Sequence, residues 1–94
     1  MSTTTTEVIH EQYRFYKVVN GMESHMDYEL HQPSTVVFYH TYVPEELRGK
    51  GLAKEIIREG LDWAMSEHLD IIPACSAVRR FIDMNEDYKA YFNK

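Results

Sequence analysis

The chain has 94 residues, which leaves room for one compact core and no second domain. Apolar residues make up 44% and charged residues 27%, a globular composition that excludes a disordered segment. Fifteen Asp and Glu against ten Lys and Arg give a net charge of −5, which argues against a protein that neutralises many nucleic-acid phosphates. Cys75 is the single cysteine, so no internal disulfide or zinc-binding ladder is available and a reducing, cytoplasmic setting is expected. No apolar run is long enough to span a bilayer, and Met1 to Thr6 lack the basic and apolar regions of a signal peptide.

Residues 1–10 are expected to form a flexible tail, with residues 11–94 as one domain. From Gln12 to Val19 the chain is rich in Tyr, Phe and Val, and Asn20-Gly21 then supplies the strongest short hairpin signal. In the run that follows, Met22, Met26, Tyr28 and Leu30 share one parity, with Ser24 as the one gap. Glu23, His25, Asp27 and Glu29 share the other, as a strand with one wet face requires. His31 to Ser34 break the pattern, and Thr35 to Val43 read as a central strand.

After Pro44 the period changes. Leu52, Ala53, Ile56, Ile57, Gly60, Leu61 and Ala64 fall on one stripe, which predicts an amphipathic helix from about Gly51 to about Glu67. Leu69, Ile71 and Ile72 form a short buried strand ended by Pro73, reached by a crossover and hence parallel to the Thr35 to Val43 strand. Ser76 is expected to cap a short helix through about Asp83 with Val78, Phe81 and Ile82 inward. Asn85 is expected to cap a last one carrying Tyr88, Tyr91 and Phe92. The fold class is α+β in the order β-β-β-α-β-α-α: a mixed sheet of three antiparallel strands plus one parallel strand, with the long helix across one face.

The stretch Arg48-Gly49-Lys50-Gly51-Leu52-Ala53 follows a strand and opens the long helix. Unpaired N–H groups and the helix dipole make such a start a natural phosphate or pyrophosphate site, and a Cβ at either glycine would hold the anion away. The spacing fits neither the Rossmann fingerprint nor a Walker loop. Cations gather in the same half: before Arg48 only Arg14 and Lys17 are basic, whereas Arg48, Lys50, Lys54, Arg58, Arg79 and Arg80 crowd a short stretch. An acidic protein with one basic patch suits a small anionic ligand.

The spacing Arg-x-x-Gly-x-Ala resembles the pyrophosphate loop, Gln/Arg-x-x-Gly-x-Gly/Ala, of the GNAT superfamily of acetyl-CoA-dependent N-acetyltransferases. More narrowly, His40 to Ala53 together with Ile72-Pro73-Ala74-Cys75-Ser76-Ala77-Val78-Arg79 resemble the small, single-domain GNAT-like acetyltransferases, over roughly Gln12 to Phe92. The resemblance implies acetyl-CoA as cosubstrate and an amine acceptor, small molecule or protein. By it, Arg48, Gly49, Lys50, Gly51, Leu52 and Ala53 bind the CoA pyrophosphate through backbone amides, Thr41, Tyr42 and Val43 line the pantetheine arm, and Arg79 joins the cofactor-binding set. Cys75 is placed near the acetyl thioester, with His40 facing the same cleft. One departure is Asn85-Glu86-Asp87-Tyr88, where the short relatives tend to carry His-Pro-Glu-Tyr.

Cys75 and His40 are the candidate catalytic residues. A thiol at a helix start gains thiolate character and suits a nucleophile that forms an acetyl-enzyme; a buried Cys acting as a small hydrophobe is the plain alternative. His40 suits a base for the amine or for the thiol, or else is a structural histidine bonded to a carbonyl. Glu45 and Glu46 offer a water relay or a solvated charge pair, and Tyr13, Tyr16 and Tyr28 read as sheet packing. No nucleic acid, membrane or metal is expected as a partner, and a monomer is the working expectation. A non-catalytic acyl-CoA-binding or sensing module is the alternative function, and a cysteine hydrolase using Cys75 and His40 is a further one that has no need of the glycine loop.

Overall fold

A computed structural model describes residues 4–92, the side chain of Phe92 excepted. Five strands form one sheet in chain order: β1 (Ile9–Glu11), β2 (Arg14–Val19), β3 (Met22–His31), β4 (Thr35–Tyr42) and β5 (Asp70–Pro73). All neighbours are antiparallel except β4 and β5, which are parallel. Helix α1 (Leu52–Ser66) is the crossover between those two, and α2 (Ser76–Asp83) and α3 (Glu86–Phe92) follow. The expected α+β sheet is therefore present, with one antiparallel strand more than the sequence pattern announces.

That extra strand begins within residues 1–10, expected as a flexible tail, and ends at Glu11. Here β1 pairs with β2 from Ile9↔Tyr16 to Glu11↔Arg14, and upstream Thr5 N–H donates to the Val18 carbonyl at 2.7 Å. Met1 to Thr3, in the same expected tail, lie outside the described residues. The two hairpins explain why one was legible and the other was not. Asn20 and Gly21 take φ of 52° and 77°, the left-handed pair of a type I′ turn that Asn-Gly favours. Gln12 and Tyr13 take the same conformation, at 48° and 67°, without a glycine to signal it.

The predicted helical stripe packs as expected: Leu52, Ile56, Ile57, Gly60, Leu61 and Ala64 are the buried residues of α1. Of these, Ile56, Ile57, Leu61 and Ala64 share one core cluster with Phe15, Met26, Tyr28, Val36 and Phe38 of the sheet. Gly60 permits the close approach, since a Cβ there would stand 2.3 Å from Met26 Cε and 3.3 Å from Phe38. Lys17 Nζ reaches Glu55 at 2.9 Å and ties the first turn of α1 to β2. Ser24, the gap in the parity, is fully buried on this same face, and its hydroxyl has no partner among the described residues.

Cys75 rather than Ser76 occupies the N-cap position of α2, and no side chain there makes a capping bond. Asn85 stands at the N-cap position of α3, where its carbonyl accepts from Lys89 N–H at 3.0 Å, and its Nδ2 donates back to the Phe81 carbonyl at 2.7 Å, joining α3 to α2. Tyr88 is buried and its hydroxyl donates to Asp62 of α1 at 2.7 Å, so burial and that bond push its pKa up to about 12. Phe92, the third aromatic expected on this helix, has its side chain outside the described set.

The arrangement that positions the site is an irregularity in β4. Tyr28 pairs with Phe38, yet Asp27 pairs with His40 and Met26 with Thr41, so Tyr39 is an extra residue in a β-bulge. Val36 and Phe38 point into the core; strict alternation would send His40 the same way. The bulge resets the parity by one residue, and Thr41 takes the core-side face shared by Met26 while His40 shares the outer face with Asp27. The parallel ladder ends at Phe38↔Pro73, where β5 itself ends, so β4 runs on to Tyr42 without that partner.

Candidate functional site

Three features meet where β4 and β5 part. The first is the glycine loop. Gly49 and Gly51 hold φ of 83° and 79°, and a Cβ on either would meet nothing within 4 Å. Glycine is required here for its backbone conformation, and a side chain would project into open space beside the loop. Gly51 is the N-cap of α1 without a side-chain cap, and the first bond of the helix runs from Glu55 N–H to Gly51 O at 3.1 Å. The N–H groups of Leu52, Ala53 and Lys54 thus have no intrahelical acceptor and face outward with the positive end of the dipole. A hollow of about 290 Å³ lies against them, lined also by Val43, Leu47 and Arg48. Arg48 Nε donates to the Val43 carbonyl at 3.0 Å, so this side chain braces the loop against the end of β4. Lys50 is exposed and is not among the lining residues of that hollow.

The second feature is a groove of about 620 Å³ between α1 and α2. It shares Ala53 and Lys54 with the hollow, so the two adjoin at the first turn of α1. Its cations are Lys54, Arg58 and Arg80, above an apolar floor that includes Ile57 and Phe81. The Arg58 guanidinium sits 5.9 Å from the centre of the Phe81 ring. Arg79, the arginine assigned to the cofactor from the sequence, does not line the groove; Arg80 and Arg58 do. Arg58 had a readable signal, because it stands one helical turn beyond Lys54 on the same helix.

The third feature is the parting itself. Cys75 N–H donates to the Phe38 carbonyl at 2.9 Å, which fixes the start of α2 at the last paired residue of β4. The half-buried thiol donates to Thr41 Oγ1 at 3.4 Å. Thr41 and Cys75 therefore meet on the core-side face of the sheet, and Val43 lines the hollow at the glycine loop. Tyr42 does not follow with its side chain: it pairs with His25, and its ring lies 5.7 Å from that imidazole on the outer face. His40 also lies there. Its ring centroid is 5.6 Å from that of His25, and its donor atoms lie within 4.8 Å of those of His25 and Asp27. The structure does not bring His40 and Cys75 together, because the bulge turns His40 to the opposite face of the sheet from the thiol.

Comparison with known proteins decides the family. The model of the GCN5-related N-acetyl-transferase family matches residues 14–91. This chain belongs to the GCN5-related N-acetyltransferase family. That span runs from the start of β2 almost to the end of α3 and includes the glycine loop, the parting strands and Cys75. Among curated proteins, this GCN5-related chain is similar to "Protein NATD1" of Xenopus tropicalis, at 31% identity over 62% of the chain and 53% of that protein. It is also similar to "Protein NATD1" of Danio rerio and of Bos taurus, each at 33% identity over 62% of the chain and 53% and 51% of those proteins. The chain spans about half the length of these curated relatives. Among the described residues, no helix of this family member is long and apolar enough to cross a membrane.

Proposed function

We propose that the protein binds acetyl-CoA and transfers its acetyl group directly to an amine. The observation that carries this reading is the continuity of one anion-ready surface with one opening in the sheet. The hollow at Gly49 to Ala53 takes the pyrophosphate on backbone N–H groups, while Lys54, Arg58 and Arg80 offer positive charge for the remaining phosphate. From there the pantetheine arm runs along the unpaired edge of β4 at Thr41 to Val43, and the thioester arrives at Cys75.

In the transfer, the amine nitrogen attacks the thioester carbonyl carbon, the C–S bond breaks, and CoA leaves as the thiol after taking up the proton the amine loses. Cys75 serves as a wall of the acetyl pocket. Its thiol donates to Thr41, and His40, the base a nucleophilic Cys75 would use, lies on the other face. His40 belongs to the acceptor side instead, where an amine entering through the parting from the outer face meets it first. That face bears Glu11, Glu23, Asp27 and Glu29 beside a concavity of about 930 Å³, a setting that attracts an ammonium group. A non-catalytic acyl-CoA-binding module uses the same loop and differs only in lacking turnover.

Titration of CoA into the protein, intact-mass measurement after incubation with acetyl-CoA, and a screen of amines test the reading together. CoA binding, an acetylated amine and no hydroxylamine-labile acetyl on Cys75 are expected, and Cys75→Ala should keep its rate within about threefold. An acetyl-enzyme in wild type that Cys75→Ala lacks would replace direct transfer by the covalent route. CoA affinity without any acetylated amine would support the binding module, and no CoA affinity would overturn both.

A further inference from the structure

The outer face of the sheet carries a side-chain group that binding acetyl-CoA does not use. We propose that His25, Asp27 and His40 form a site for a divalent first-row transition ion of the Zn²⁺ class. Strand geometry assembles it. His25 and Asp27 stand two residues apart on β3 and therefore share a face, and Asp27 is directly opposite His40 on β4. Without the bulge at Tyr39, His40 would turn toward the core and the third ligand would be lost.

One donor atom from each residue lies within 4.8 Å of the other two, and His25 Nε2 is 3.9 Å from Asp27 Oδ2. An ion with ligands at about 2.0–2.2 Å needs those atoms about an ångström closer, within reach of side-chain rotation at the exposed His40. The surroundings are those of a supported ligand set. Glu23 Oε2 accepts from His25 Nδ1 at 3.0 Å, which fixes the tautomer and leaves the Nε2 lone pair directed to Asp27. Arg14 donates to both oxygens of Asp27, at 2.6 and 3.2 Å, and to Glu23 at 2.8 Å. It orients the two carboxylates, and each oxygen of Asp27 keeps a second lone pair. Two carboxylates against one guanidinium leave a net negative charge for a dication. Side-chain exposures of 15% for His25 and 13% for Asp27 limit competition from water, while His40 leaves an open side for solvent to complete the coordination. Two imidazoles with one carboxylate select Zn²⁺, Ni²⁺ or Cu²⁺ over Mg²⁺ and Ca²⁺.

The test uses Zn²⁺ alone, so its result is independent of acetyl transfer. Isothermal titration of the full chain in metal-free buffer near pH 7.5 should show one equivalent bound with micromolar affinity. His25→Ala and His40→Gln should each weaken it by about tenfold or more, with unchanged circular dichroism, and His31→Ala, an exposed histidine outside the group, should leave it as it was. Because His40 is exposed, His40→Gln keeps the fold and makes the experiment decisive. No saturable binding by wild type up to about 100 μM Zn²⁺, or binding that His40→Gln leaves intact, would overturn the assignment.

Discussion

The two faces of β4 do different work although they alternate along one strand. On the covered face Val36 and Phe38 are fully buried beneath α1, and Thr41 continues that face to the thiol of Cys75. On the open face Tyr39 is 48% exposed, and His40 meets His25 and Asp27 among charged neighbours. Apolar burial is concentrated on the first face and titratable side chains on the second. Under the proposed function, a single layer of backbone separates the cofactor from its acceptor and opens at one place.

The sharpest way to break this comparison is to remove one side chain from each face. Phe38→Ala should cost about 3–5 kcal/mol in urea unfolding, because it opens a cavity against Gly60 and Met26. Tyr39→Ala, one residue on, should stay within about 0.5 kcal/mol. Comparable losses would mean that the open face is structural too.

Next in size is the loop that serves the covered side. Gly51→Val places a β-branched residue at a left-handed φ and a side chain in the hollow, so CoA affinity by calorimetry should fall about 100-fold, or about 2.7 kcal/mol. A folded variant with unchanged affinity would remove the pyrophosphate from this loop.

The groove offers a finer contrast between neighbouring arginines. Arg80→Ala should weaken CoA binding by about three- to tenfold, an effect that shrinks as salt is raised, while Arg79→Ala should be neutral. A reversed pattern in competition binding would show that the groove between α1 and α2 is not the path of the cofactor.

The smallest expected effects separate the two faces at adjacent residues. Thr41→Val should raise the KM for acetyl-CoA by a few-fold and leave that for the amine alone, whereas His40→Ala should do the opposite. Steady-state kinetics with both substrates varied would read the split, and equal changes in both constants would erase the division of the faces.

Much of this was legible in the residues themselves. Asn20-Gly21 announced its turn, and the stripe from Leu52 to Ala64 announced a helix and its buried side, because each property depends on neighbours within a few residues. The β1 hairpin was hidden because Gln12 and Tyr13 adopt a conformation that their side chains do not advertise. Arg80 rather than Arg79 lines the groove between α1 and α2 because the rotation of α2 is set by how Val78, Phe81 and Ile82 seat in the core. The face of His40 was decided by structure alone: a bulge exists only in the register between two strands, and one extra residue there reverses every side chain that follows.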